Sequence, residues 1–262
     1  NMIKSLYSVV GVMSGTSLDG VDFCWVSFSK NEQWNFKIIA AETEPYLPEM
    51  KLRLASAIEL NSNELERLNQ DYTKYLGQHI KNFIQKYQIT NLDAICSHGH
   101  TVFHQPEKGF TLQIGNLPEI ANYVQQTVVC DFRVQDVAMG GQGAPLVPIG
   151  DALLFSDYDF CLNLGGFANI SFQHNNQRVA FDICPANITL NHYVQALGYS
   201  FDNDGHYAAQ GTLYQPLLEA LNKLDFYQMS PPKSLGLEWV QKEVFPLVEQ
   251  FSLTSKSLLR TF

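Results

Sequence analysis

Two short polar stretches in this 262-residue sequence contain the residue types that phosphate binding demands. The first, Ser14-Gly15-Thr16-Ser17-Leu18-Asp19-Gly20, lies between two apolar runs, LYSVVGVM and VDFCWVSF. Glycine lets a backbone approach an anion, hydroxyl and N–H groups donate to it, and a carboxylate organises Mg²⁺ through water. The same residues also make tight turns, so the stretch read alone is equally a hairpin tip. The second, Asn163-Leu164-Gly165-Gly166-Phe167-Ala168-Asn169, stands at the equivalent place in the other half of the chain. Two such hairpins are what a phosphate chain held by two domains requires, whereas a lone Gly-Gly more often marks a bulge or close packing. Neither stretch is a GxxxxGK[ST] loop or a GxGxxG turn.

Three further groups are candidates for chemistry. Asp182 follows the run VAF and precedes a helix predicted from Pro185 to Leu197, since proline fits a first helical turn. A carboxylate there serves either as a general base or as a cap for the following turn. His98 and His100 fall on the same side of a strand if alternation holds, and with His104 they suggest a zinc hydrolase site. No carboxylate at ligand spacing follows them, and the competing reading is hydrogen bonding to a polar ligand. Arg133, in the run DFRVQD, either holds a carboxylate bidentately or pairs with Asp136.

These groups need elements to position them. Residues 6 to 13, 21 to 28 and 36 to 43 read as strands. Apolar positions at spacings of three and four from Leu65 to Tyr87 predict a long amphipathic helix, with Asn63 and Glu66 as its capping box. Strands are expected at 93 to 99 and 127 to 132, with a helix near 117 to 125 between them. A glycine-rich stretch from Met139 to Pro145 reads as the joint between two domains, 1–145 and 146–262. Beyond it the strand-loop-strand opening recurs at 160 to 174, and helices are predicted at 213 to 224 and 237 to 251. Strands in meander, then strands alternating with helices, imply mixed sheets flanked by helices.

The formal net charge is −9, with the Lys and Arg residues scattered. That gives no electrostatic footprint for nucleic acid or anionic lipid. No run approaches the roughly 20 apolar residues that span a bilayer. The five cysteines are dispersed and form no CxxC pair, which points to reduced thiols and a cytoplasmic protein.

The run GVMSGTSLDGVD at 11 to 22 resembles the opening signature of the anhydro-N-acetylmuramic acid kinases. SHGHTVFHQP, TLQIGN, the DFR opening, GGQGAPLVP and LNLGGFANIS resemble that family too, in family order. The resemblance implies an α/β, two-domain ribonuclease-H-like fold of the actin-like ATPase type. It further implies ATP and Mg²⁺ as cofactors, and phosphorylation of an anhydro amino sugar coupled to hydrolytic ring opening. Asp182 takes the position of the family's catalytic base. Gly15, Thr16, Ser17, Leu18, Asp19, Gly20, Val21, Asp22, Gly165, Gly166 and Asn169 take those of the nucleotide-binding residues, with Asp19 near the metal. His98, Thr101, Arg133 and Asn187 are assigned to the sugar. The chain departs from the family where Cys184-Pro185-Ala186-Asn187 replaces Gly-Pro-Gly-Asn, where His100 replaces Gln, and where Val134 and Gln135 replace two arginines. Family members extend past residue 262, so a C-terminally truncated form with an incomplete second domain is expected. A homodimer is the default oligomer only because such dimers are the commonest.

Overall fold

A computed structural model describes residues 5–15, 18–144 and 146–262, with Glu107 by its backbone alone. Thr16 and Ser17, both assigned to the nucleotide, lie outside the described residues. The chain divides into two units, Asn1–Leu154 and Phe155–Phe262.

In the first unit, the β-branched and aromatic runs form an antiparallel meander of β1 (Leu6–Ser14), β2 (Gly20–Lys30) and β3 (Trp34–Pro45). The short helix α1 (Pro48–Ala55) leads to α2 (Ser62–Lys86), then to β4 (Ala94–Gln105) and β5 (Phe110–Ile114). The helix α3 (Glu119–Val124), the strand β6 (Val128–Val129), and the helices α4 (Phe132–Ala138) and α5 (Leu146–Leu154) complete the unit. β4 lies parallel to β1, and β6 lies parallel to β4 at Ile95 and Cys96. β5 folds back on the distal half of β4 as a hairpin. The strand order is therefore β3-β2-β1-β4-β5, with β6 also pairing β4; β1 to β3 form an antiparallel meander, and β4 and β6 run parallel to β1.

The core of this unit follows from the helix stripe. Leu68, Tyr72, Leu76 and Ile80 recur every fourth residue, and with Phe83 they are at most 1% exposed. They pack on Val10, Val12, Val21, Phe23, Ile95 and Ile114 of the sheet, Phe23 and Phe83 stacking at 5.2 Å. Each such side chain contributes about 1.5–3 kcal/mol of burial. The capping box sits two residues earlier than expected. The Asn61 side chain accepts from the N–H groups of Asn63 and Glu64, and the Glu64 carboxylate accepts from Asn61 N–H. Where Gly20 opens β2, a Cβ would lie 2.4 Å from the Glu44 carbonyl oxygen on β3. Gly20→Ala is expected to lower stability by about 2 kcal/mol through this backbone clash, read as a lower denaturant midpoint; an unchanged midpoint contradicts it.

The second unit repeats the meander with β7 (Phe160–Leu164), β8 (Phe167–His174) and β9 (Gln177–Pro185), all antiparallel. Asn175 and Asn176 both have positive φ, 48° and 62°, in the two-residue turn that joins β8 to β9. Mixed pairing is thus confined to the first sheet. The helices are α6 (Asn187–Gln195), α7 (Gln215–Leu221), α8 (Leu237–Trp239), α9 (Phe245–Val248) and α10 (Ser255–Thr261). Pro185 ends β9, opposite Phe167, and does not open α6. The helix expected to run unbroken from 237 to 251 is α8 and α9 joined by a π turn at Val240–Val244. Pro246 has no N–H to continue an α ladder, which accounts for the break. Among the described residues no helix is long and apolar enough to cross a membrane.

Candidate active site

Ser14, at the end of β1, belongs to a buried triangle of hydroxyls. Ser14 Oγ bonds the Tyr46 hydroxyl and accepts from the Tyr72 hydroxyl at 2.7 Å, and the two tyrosine hydroxyls lie 2.7 Å apart. Burial pushes both tyrosines up from their ordinary pKa, so they remain neutral donors. Beyond Ser14, Leu18 N–H donates to the Gly15 carbonyl, and Leu18 has a φ of 57°. Asp19 is exposed, whereas the Asp22 carboxylate accepts from the Thr43 hydroxyl across the sheet. The Val21 side chain lies in the core, so it has only backbone to offer a ligand.

A bulge in β4 separates the two histidines that alternation put together. Val12 pairs with Ser97 and Ser14 with His100, so β4 carries one residue more than β1. Gly99 takes up the irregularity at φ 72°. A Cβ there would lie 2.6 Å from the Ile114 carbonyl oxygen and 2.6 Å from Asn116 Nδ2. His100 turns to Ser14 Oγ, 3.4 Å from its Nδ1, and sits edge-on to the Tyr72 ring. His98 turns to Arg133 on α4, whose Nε donates to its Nε2 at 2.8 Å. Arginine can only donate, so the His98 proton sits on Nδ1, which donates to the Gly99 carbonyl at 2.9 Å. With its Nε2 lone pair committed to Arg133, His98 is a poor zinc ligand. Among the described residues no three His, Cys, Asp or Glu side chains are grouped to hold a metal.

Burial, reinforced by His98, pulls His100 down to about 4. His98 is also lowered, by burial first and by Arg133, against the Gly99 bond that raises it. Both imidazoles are therefore neutral near pH 7. Arg133 does not pair with Asp136. Its Nη1 donates to the Gly143 carbonyl at 2.7 Å, while Asp136 accepts from Gly143 N–H at 2.7 Å. The guanidinium thus ties the middle of β4 to the glycine-rich stretch, and its Nη2 has no partner among the described residues. Nearby on β4, Thr101 Oγ1 accepts a long 3.4 Å bond from Gln113.

In the second unit, Gly165 and Gly166 form the β7–β8 tip. Their carbonyls accept from the N–H groups of Ala186, Asn187 and Ile188 at the start of α6. The Asn187 side chain donates to the Leu164 and Gly165 carbonyls at 3.3 and 3.0 Å, so it braces the loop. Gly166 is exposed, and a Cβ on it would meet nothing within 4 Å. A second bulge lies on β9: Ala168 pairs with Cys184 and Asn169 with Asp182, leaving Ile183 as the extra residue. Asp182 is half-buried, and its Oδ2 accepts from Leu235 N–H at 2.8 Å. Burial raises its pKa from the ordinary 3.8, against the Leu235 bond that lowers it.

The first unit therefore gathers Ser14, His98, His100 and Arg133, and the second gathers Gly165, Gly166, Asn169, Asp182 and Asn187. Tyr46, Tyr72, Gly143 and Leu235 were not expected at these places. Tyr72 was visible only as one more apolar position on the α2 stripe. Leu235 contributes a backbone N–H, for which a sequence holds no sign.

Three antiparallel strands followed by two parallel ones, and a second unit that opens with the same meander and loop, define an α/β fold of the actin-like ATPase class. The chain belongs to the anhydro-N-acetylmuramic acid kinase family, whose model matches residues 7–254. That name denotes a phosphotransferase. Among similar proteins is the anhydro-N-acetylmuramic acid kinase of Pseudomonas savastanoi pv. phaseolicola, 35% identical over 91% of this chain and 68% of its own length. That of Acinetobacter baylyi is 37% identical over 90% of this chain and 66% of its own length. That of Shewanella baltica is 37% identical over 93% and 70%. The chain thus spans about two thirds of the length of these relatives.

Proposed function

We propose that the protein transfers the γ-phosphoryl group of ATP to the 6-oxygen of 1,6-anhydro-N-acetylmuramic acid while water opens the anhydro ring, giving N-acetylmuramate 6-phosphate for cell-wall sugar recycling in the cytoplasm. The observation that carries this reading is the Asp182 carboxylate. One oxygen is anchored by Leu235 N–H, and Oδ1 has no partner among the described residues. Burial makes it a stronger base than a solvated carboxylate. It takes a proton from the water that attacks C1. The C1–O6 bond breaks, and O6 captures the phosphoryl group.

The 14–20 loop and the 164–167 loop are each phosphate-binding elements in this reading. The open space over Gly166 supports it, because a backbone without a side chain leaves room for phosphate oxygens. Asp19 is the residue that would hold Mg²⁺. A single exposed carboxylate suits an ion that keeps several waters and reaches the protein on phosphate oxygens. When bound, Mg²⁺ offsets charge on the phosphates. Arg133 offers Nη2 to the lactyl carboxylate, and the neutral His98 holds the guanidinium in place.

The test is ADP release with the muramyl sugar and with 1,6-anhydro-N-acetylglucosamine, which lacks the lactyl group. Turnover is expected with the first sugar only, and Arg133→Met should raise KM for it about tenfold or more. ATP binding without sugar-dependent ADP release would mark a nucleotide-binding module and end the kinase reading.

A further inference from the structure

We infer that the segment Lys233–Leu235 is the positioning element for Asp182, a backbone clasp that fixes where the carboxylate points. This inference rests on the base assignment above and extends it to residues outside every motif of the sequence.

The clasp has two points. Asp182 N–H donates to the Lys233 carbonyl at 3.1 Å, and Leu235 N–H donates to Asp182 Oδ2 at 2.8 Å. One bond fixes the backbone of β9 and the other fixes the side chain of the same residue. The first continues the hydrogen bonding of β9 outward from the side away from β8, where Asn169 is the cross-strand partner. The segment is itself pinned. Lys233 Nζ donates to the Phe226 carbonyl at 3.1 Å and sits 4.6 Å from the centre of the Phe226 ring and 5.9 Å from that of Phe181. Phe226 is 3% exposed, so the anchor is a core residue.

The bulge at Ile183 explains why a clasp is needed. A bulged strand leaves one residue unpaired, bends and twists more strongly there, and the base lies one residue before that break. Fixing one carboxylate oxygen leaves Oδ1 as the proton acceptor, in one orientation instead of two. A general base must lie within hydrogen-bond reach of the proton it removes, so orientation bears on rate.

The titratable groups of the elements around Asp182 are His174 on β8, Arg178 and Cys184 on β9, Lys233 in the clasp, and Asp225 and Tyr227 in the 3₁₀ turn Asp225–Gln228. Arg178 is bonded to Ser171 and Cys161, and Lys233 to Phe226. Burial pushes Cys184 up and Tyr227 up to about 12, so both stay neutral near pH 7. Asp182 feels chiefly its burial and the Leu235 N–H.

The experiment has two arms. By NMR on the protein without substrate, the Leu235 amide should shift through the same midpoint as the Asp182 carboxyl carbon, and that titration should vanish in Asp182→Asn. A Leu235 amide that stays flat while Asp182 titrates overturns the clasp. In the second arm, Leu235→Pro deletes the N–H and Leu235→Ala keeps it. The proline variant should move the acid limb of the kcat profile to higher pH, with about a tenfold loss on that limb and an unchanged KM for ATP, while the alanine variant follows the wild type. A proline variant whose acid limb matches the wild type also overturns it. Should the proline variant fail to fold, the amide titration decides alone. If the amide titrates with the carboxyl but no sugar-dependent turnover is found, the kinase reading fails and the clasp stands.

Discussion

Asp182→Asn is expected to lower sugar-dependent ADP release about 10³-fold or more while leaving the protein as stable as the wild type or more so. Burial raises the Asp182 pKa in the folded state, so the folded protein holds that proton more tightly than the unfolded chain does. As pH rises from the ordinary carboxylate value through the folded one, ionisation of this group costs stability, and the cost persists at neutral pH. Asparagine removes the charge and keeps the shape, and its Oδ1 still accepts from Leu235 N–H. Loss of turnover is what separates a base from a structural cap, because asparagine caps as well as aspartate and a cap alone would survive this replacement with turnover intact. Retained turnover contradicts the assignment.

His100 carries the second large effect, on pH dependence. Its folded pKa of about 4 lies below the ordinary 6.5. The unfolded chain therefore takes up a proton that the folded protein refuses. The stability that neutral His100 supports is complete above pH 6.5 and is lost as pH falls toward 4, by about 3 kcal/mol in all. His98, lowered in the same direction, adds to the loss. His100→Gln removes the larger share, because a glutamine amide can reach Ser14 Oγ without titrating. The gap between the unfolding free energies of the two proteins should change as pH falls from neutrality toward 4, by up to about 3 kcal/mol in favour of the variant. Parallel curves for the two proteins would contradict the burial of a neutral imidazole there.

The sequence disclosed much of this arrangement and hid a particular part of it. The α2 stripe was legible because Leu68, Tyr72, Leu76 and Ile80 repeat at helical spacing, and the two hairpins because each polar loop divides two apolar runs. The helix start was misplaced because Asn61 and Asn63 are equally able caps. Glu64, reaching back to Asn61, decides between them. The strand expected at 127 to 132 shrinks to Val128–Val129, because Asp131 turns left-handed at φ 58° and starts α4. Two bulges were invisible, and they matter most to the site. One, at Gly99, sends His98 to Arg133 and His100 to Ser14. The other, at Ile183, sits beside Asp182. A bulge depends on which partner residue each strand finds, and single-strand patterning carries no record of that. The Arg133–Asp136 pair failed for a related reason: Gly143 folds back and supplies each with a backbone partner.

In the proposed reaction Asp182 directs water to C1 while the phosphoryl group goes to O6. Turnover in ¹⁸O-labelled water, with prompt mass analysis of the products, tests it most directly. The label is predicted at the C1 hydroxyl of the sugar phosphate and nowhere in the phosphoryl group. Label in the phosphoryl group or in free inorganic phosphate would mean that water attacks phosphorus instead, and the proposed reaction would be wrong.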